Sequence, residues 1–278
     1  NTPDPKGGAI DRDEHGEPTG ILRESARELV YRIVPTLTAD EQASALAKLS
    51  MNLLSYGITA VTDMSARLGE QSCYELYTDA RKKGFKQRAA LYPIQWDFAA
   101  DKELDEHWTD RNNPIFVGGV KVLADGSVSG RTAWVSESFL GEDDAYGMPT
   151  ITADELRTWA GCAERNKVQL VVHAMGDKAI DLITETFDGQ KNWLENQPSI
   201  RIEHAAMPTE RALKTAAETG IAFVTQPLFQ YAEIESYLKN LGLKRTQSAY
   251  PIRTIMNAGV KLAFSSDAPA TAWAEPAD

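Results

Sequence analysis

The 278-residue chain is poor in several features that would otherwise assign it. It has two cysteines, Cys73 and Cys162, far apart and without a metal-type spacing, so a disulfide framework is not expected. Both read as small buried hydrophobes. No apolar run approaches the roughly 18–20 residues needed to cross a bilayer. Cations are outnumbered, 29 Lys and Arg against 40 Asp and Glu, for a net charge of -11. That balance disfavours nucleic acid and anionic membranes, which need clustered positive charge to neutralise phosphate. The acids are scattered, with no acidic tail. No Gly-rich phosphate fingerprint follows any apolar run, which counts against a doubly wound nucleotide-binding sheet. Histidine is scarce as well, four residues in all, so the place of each one matters.

The chain opens at Asn1 without an initiator methionine, and its first 18 residues read neither as a signal peptide nor as a strand. It stops at AWAEPAD without closing an element, so the expectation is that both ends are cut. Residues 1–20, rich in Gly, Pro and charge, are expected to form an irregular loop, and 21–34 a helix.

From there the pattern alternates. TADE at 38–41 has capping-box spacing and opens a helix carrying Leu46, Leu49, Leu53 and Leu54 at helical intervals. Strands are expected over 58–64, 87–97, 116–123, 168–174, 200–205, 220–227 and 260–267. Helices are expected over 70–83, 152–166, 178–187, 209–219 and 249–258. A second TADE at 152–155 starts one of them. The stretch 124–150 is too long for an ordinary connection, and loops of that length are usually functional or disordered.

Strand then helix, repeated seven times with strands apolar on both faces, implies a parallel sheet covered by helices. Seven consecutive units favour an α/β fold of the (β/α)8 TIM-barrel type, one strand short. The expectation is a single incomplete barrel domain over 1–278, with the first strand preceding Asn1.

Ligands bind at the C-terminal strand edge of such sheets, and four strands carry chemistry there. They are Lys121 in GGVKVLADG, His173 in VQLVVHAMGD, His204 in RIEHA and Asp267 in FSSDAP. Taken singly, each has a plain structural explanation: a hydrogen-bonded histidine, or an aspartate turning the chain before Ala-Pro. A lysine between valines is odder, because an inward ammonium is costly unless paired or chemically altered. Together the four point to one centre. Alternation then sends Gly119 and Leu123 inward with Lys121, Val171 with His173, and Ala263 and Ser265 with Asp267. His15 and His107 lie in polar segments and read as surface.

KVLADGS with GRTA, VVHAMGDKAI, RIEHA, QP and SSDAP, in this order, resemble the metal-dependent hydrolases of the amidohydrolase superfamily. The similar branch contains N-substituted formamide deformylases and imidazolonepropionase-related proteins. GEPTGILRE at 16–24 extends the resemblance from about residue 10 to the end. The resemblance implies a (β/α)8 barrel with one or two divalent ions, Zn²⁺ first, at its C-terminal rim. It implies that Lys121 is a carboxylated lysine ligand, that His173 and His204 are metal ligands, and that Asp267 is both ligand and catalytic proton acceptor. The family's His-x-His pair on the first strand and its β-sandwich segments are absent from this sequence. One metal, a weakly bound one or none is therefore expected in this chain, and the chain alone can be inactive.

Arg131 and Trp134 in the long loop, and Gln226 before Pro227, are candidate substrate contacts, with loop packing the competing explanation. Tyr146 is a lesser candidate of the same kind. Asp125 and Asp177 read as turn or cap residues, Asp177 placed to cap the helix after it. Glu203 should face away from His204 and so is not expected in the site. The expected activity is metal-dependent hydrolysis of carbon–nitrogen bonds in small non-peptide amides, linear or cyclic, by a metal-activated water. A small-molecule amide is the expected partner, with no nucleic acid and no membrane; a homo-oligomer stays open. Cytoplasmic placement is expected. Two competitors remain: a Schiff-base aldolase acting through Lys121, and a non-catalytic ligand-binding barrel.

Overall fold

The computed structural model describes residues 2–5, 8–35, 37–67, 72–141 and 143–270. The chain divides into two compact units, Asn1–Gln42 and Ala43–Asp278.

In the first unit, β1 (Gly8–Arg12) and β2 (Pro18–Glu24) pair antiparallel, with Ile10 opposite Leu22. The loop expected over 1–20 is therefore a hairpin. Its turn is built by Asp13, whose carboxylate accepts the amides of His15 and Glu17 at 2.9 Å each, and by Gly16 at φ +80°. The missed signal was D-E-H-G, in which an Asp side chain folds back on the amides two and four residues on. The helix expected over 21–34 is corrected too. Pairing in β2 claims its first four residues, leaving a 3-10 turn at Ser25–Arg27 and a single helical turn, α1 (Glu28–Tyr31). The box at Thr38 forms as expected: the Glu41 carboxylate accepts the Thr38 amide at 2.8 Å and starts α2 (Ala39–Ser55).

The second unit alternates strand and helix. In order it has β3 (Ala60–Ala66), α3 (Cys73–Lys82), β4 (Arg88–Pro93), α4 (Glu106–Thr109), β5 (Ile115–Val117) and β6 (Gly119–Leu123). Then follow α5 (Ala153–Arg165), β7 (Gln169–Ala174), α6 (Asp177–Thr186), β8 (Ile200–His204) and α7 (Glu210–Thr219). The last are β9 (Ala222–Thr225), α8 (Leu228–Ala232), α9 (Ile234–Ser248), α10 (Ile252–Asn257) and β10 (Lys261–Phe264). The start of the helix expected at 70 lies outside the described residues.

All pairings in this unit are parallel. One sheet runs β3-β4-β5 and the other β10-β9-β8-β7-β6. The two are joined because β5 and β6 are one strand bent at Gly118, and because Ile94 bridges Lys121. The close approach of β6 to β7 needs glycine beside this point: a Cβ on Gly119 would stand 2.5 Å from the Gln169 carbonyl oxygen. The result is an α/β fold with seven parallel strand positions. Among the described residues β3 and β10 each pair with one strand only, and no closed barrel is formed.

The main core lies between strands and helices, where Val120, Val122, Leu170, Val172, Ile202 and Phe223 meet Leu156, Ile180, Ile183 and Leu213. Ala90, Tyr92, Phe116 and Val171 cluster separately. This split is the alternation expected for β6 and β7. Cys73 and Cys162 are buried and unpaired. Three helices, α4, α8 and α9, were not foreseen; α4 is a single turn in the polar stretch before β5, and α9 is interrupted at Gly242 (φ +75°), its mixed polarity hiding the period. Asp177 is not the cap of α6. Gly176 occupies that position, and the Asp177 carboxylate binds Ser136 through its amide and its hydroxyl. Among the described residues no helix is long and apolar enough to cross a membrane.

Candidate active site

Lys121 stands on β6 directly opposite Val171, 6% exposed, and so points away from the helix-side core. Burial pulls its ammonium down to about 8, against the opposing fields of Glu203 and Asp267. His173 is the penultimate residue of β7, flanked by the core residues Val172 and Ala174, whose side chains point to the opposite face. Its Nε2 donates to the Gly126 carbonyl at 2.8 Å, which leaves Nδ1 as the nitrogen with a free lone pair.

His204 reaches the same place by a different route. Arg201 and Glu203 share one face of β8, as the salt bridge between them shows, so alternation alone would turn His204 outward. The backbone enters the left-handed region at His204 (φ +70°) and Ala205 (φ +45°), and the ring swings in. The two imidazoles then meet edge to face with centroids 4.5 Å apart. Left-handed backbone at a non-glycine residue costs on the order of 1 kcal/mol or more and collects at functional sites. Asp267 has the same feature, at φ +54°.

Electrostatics tie the four together. Burial and the neighbouring Lys121 hold His173 down at about 4. Burial, His173 and Lys121 hold His204 well below its ordinary value. Burial raises the Asp267 carboxyl, opposed by Lys121. Both rings are therefore neutral at pH 7, the state in which an imidazole can ligate a metal. His204 Nδ1 is fully buried and has no hydrogen-bond partner. Two neutral imidazoles, one of them with an orphaned buried nitrogen, and a carboxylate fit a borderline divalent ion. The imidazole pair is the compact part of the donor set: among the described residues no three His, Cys, Asp or Glu side chains form a tight ligand cluster.

Glu203 belongs to this site, contrary to the sequence-based expectation. It is 3% exposed, bonded to Arg201, and close enough to Lys121 and Asp267 to act on both. The available signal was the opposite charges two apart in R-I-E, which put both on one strand face. Gln226 is also inside, its amide nitrogen donating to Ser265 Oγ at 2.9 Å and facing Glu203 at 3.4 Å, while its carbonyl oxygen is buried without a partner. Ser265 thus faces inward as expected. Arg131 is turned elsewhere: Nε donates to Asn240 at 2.9 Å and Nη2 to the Leu140 carbonyl at 3.0 Å, clamping the long loop to α9. Trp134 is half-buried, with the Lys178 ammonium 4.9 Å from its ring centre. Tyr146 is exposed.

Titratable residues thus gather near the C-terminal strand ends of a parallel α/β sheet, the edge at which such folds bind ligands. The chain belongs to the amidohydrolase family, whose sequence pattern it matches over residues 1–277. It is 29% identical to Protein LONG AFTER FAR-RED 3 of Arabidopsis thaliana, over 96% of this chain and 48% of that protein. It is 24% identical to the N-substituted formamide deformylase of Arthrobacter pascens, over 97% of this chain and 51% of that one. An uncharacterized metal-dependent hydrolase from Pyrococcus furiosus superposes with a TM-score of 0.70 at 26% identity, covering 97% of this chain and 54% of that one. The chain spans about half the length of the curated relatives it matches.

Proposed function

We propose that this chain carries most of the metal site of a hydrolase acting on carbon–nitrogen bonds of small non-peptide amides. The observation that carries the reading is the pair of neutral imidazoles 4.5 Å apart at neighbouring strand ends, one with an unpartnered buried nitrogen. A divalent ion such as Zn²⁺, when bound, supplies Lewis acidity toward a carbonyl and lowers the pKa of water to about 7.

The residues of the chain do the rest. His173 offers Nδ1 and His204 a ring nitrogen to the ion, with Lys121 and Asp267 completing the donor set. Lys121, held at about 8, keeps a fraction of free amine at neutral pH. That amine can add carbon dioxide, forming an N–C bond and releasing a proton, and so become an anionic oxygen donor. Asp267 takes a proton from the attacking water and passes it to the leaving nitrogen; its raised pKa favours holding that proton between the two steps. In this reading Gln226, beside Glu203 and Ser265, and Trp134 contact the substrate, and Arg131 supports the loop that carries Trp134. A closed (β/α)8 barrel, with a further strand between β10 and β3, is the architecture that would complete this sheet, and the exposed edge strands support it.

The test is a screen of N-formyl and cyclic amides with the protein before chelation, after chelation and after restoring Zn²⁺. Turnover that disappears on chelation and returns with zinc is expected. Chelator-insensitive turnover, with borohydride trapping a carbonyl substrate on Lys121, would support Schiff-base chemistry instead.

A further inference from the structure

The turn that follows β6 is built more tightly than a connection requires. Asp125 is 1% exposed, and its carboxylate accepts three backbone amides: Trp134 at 2.9 Å and Gly176 at 2.8 Å on Oδ2, and Met175 at 3.0 Å on Oδ1. Among the described residues no Lys or Arg forms an ion pair with it, and His173 Nε2 lies 3.6 Å away. Burying a carboxylate is costly, and amide hydrogens are what make it tolerable here. The chain is also pressed together around it. A Cβ on Gly126 would stand 2.0 Å from Thr132 Oγ1, and one on Gly176 would stand 1.9 Å from the Trp134 carbonyl oxygen. Asp125 therefore gathers the long loop and the β7 exit onto one point, and the carbonyl directly after it, that of Gly126, receives the His173 Nε2 proton.

We propose that Asp125 is a positioning residue that sets the tautomer of His173: by fixing the Gly126 carbonyl it keeps the ring proton on Nε2 and turns the Nδ1 lone pair toward His204. The inference concerns the chain's own hydrogen bonds, and rests on the metal reading only where metal affinity is measured. Asparagine at 125 keeps an acceptor for the two amides on one oxygen and sets an NH₂ against the third.

Protein labelled with ¹⁵N-histidine and freed of metal reports each tautomer through long-range ¹H–¹⁵N correlations, with His173→Gln assigning the resonance. The wild-type spectrum is expected to show His173 protonated on Nε2 alone, and Asp125→Asn to show mixed tautomers. Zn²⁺ titrated against a chromophoric chelator should bind Asp125→Asn about 10- to 100-fold more weakly, the range typical of lost partners to ligating histidines. A wild-type His173 protonated on Nδ1 overturns the proposal, and that result needs no variant to fold. An unchanged tautomer with zinc affinity within about twofold in Asp125→Asn overturns it as well. If the tautomer is as stated and shifts in the variant, while wild-type protein takes up no zinc, the positioning role stands and the metal reading fails.

Discussion

β7 and β10 deliver residues to the same centre from opposite mechanical situations. β7 lies between β6 and β8, and Leu170, Val171, Val172 and Ala174 are all fully buried. Among the described residues β10 pairs with β9 alone, and its Phe264 is 60% exposed. The backbone of an inner parallel strand is hydrogen-bonded on both sides and packed on both faces, so His173 is placed by the whole core. Asp267 is placed by one ladder and its own turn. Holding and chemistry are thus separated: the histidines sit where the fold is stiffest, and the proposed proton carrier sits at an edge.

Four substitutions or conditions would break or sharpen that contrast. The largest expected effect is on turnover: Asp267→Asn should lower kcat about 10²- to 10⁴-fold, the usual weight of a general base, on any amide the screen identifies. Its unfolding midpoint should stay near wild type, because the residue is half-buried and lies beyond the end of the ladder. A large loss of stability would show that the edge is a structural support after all. Ile202→Ala, on β8 and fully buried in the helix-side core, should do the reverse, costing about 2–5 kcal/mol in chemical denaturation.

Acid should act on the inner strands next. His173 has a folded pKa near 4 against an ordinary 6.5, so in that window the unfolded chain binds the proton and the folded chain does not. This ring's contribution to the stability of the metal-free protein is therefore complete above pH 6.5 and is lost as the pH drops toward 4, while the raised carboxyls of Asp125 and Asp267 act in the opposite direction. The loss is at most about 3 kcal/mol from this ring, with His204 acting in the same direction. His173→Gln should flatten that slope; an unchanged slope would place the titration elsewhere. Phe264→Ala on β10 should be the mildest, within about 0.5 kcal/mol by the same denaturation, as expected of an exposed side chain.

The sequence carried the repeating order well because strand periodicity and capping chemistry are local. Both TADE boxes formed, β7 ended one residue past His173 and β8 ended at His204, whereas β10 stopped at Phe264, three residues short of Asp267. What it hid depends on departures from such local rules. Glu203 was assigned outward because strict alternation was assumed through His204, and a left-handed backbone there breaks it. The β1–β2 hairpin was hidden in a segment rich in charge and proline, where only Asp13 and Gly16 mark the turn. α9 was missed because its face toward the long loop is partly polar: Asn240 and Arg245 bond that loop's backbone from over 100 residues away. Arg131 illustrates the same limit. Its guanidinium could have served substrate or loop, and only the partner Asn240, distant in sequence, decides for the loop.

The most direct measurement is Zn²⁺ affinity and stoichiometry, by chelator competition, for wild-type protein and His204→Ala. If His173, His204, Lys121 and Asp267 form one centre, wild type binds zinc and His204→Ala binds it at least about tenfold more weakly, with the fold intact by circular dichroism. Equal zinc binding by the two proteins would contradict a ligand role for His204 and with it the single centre.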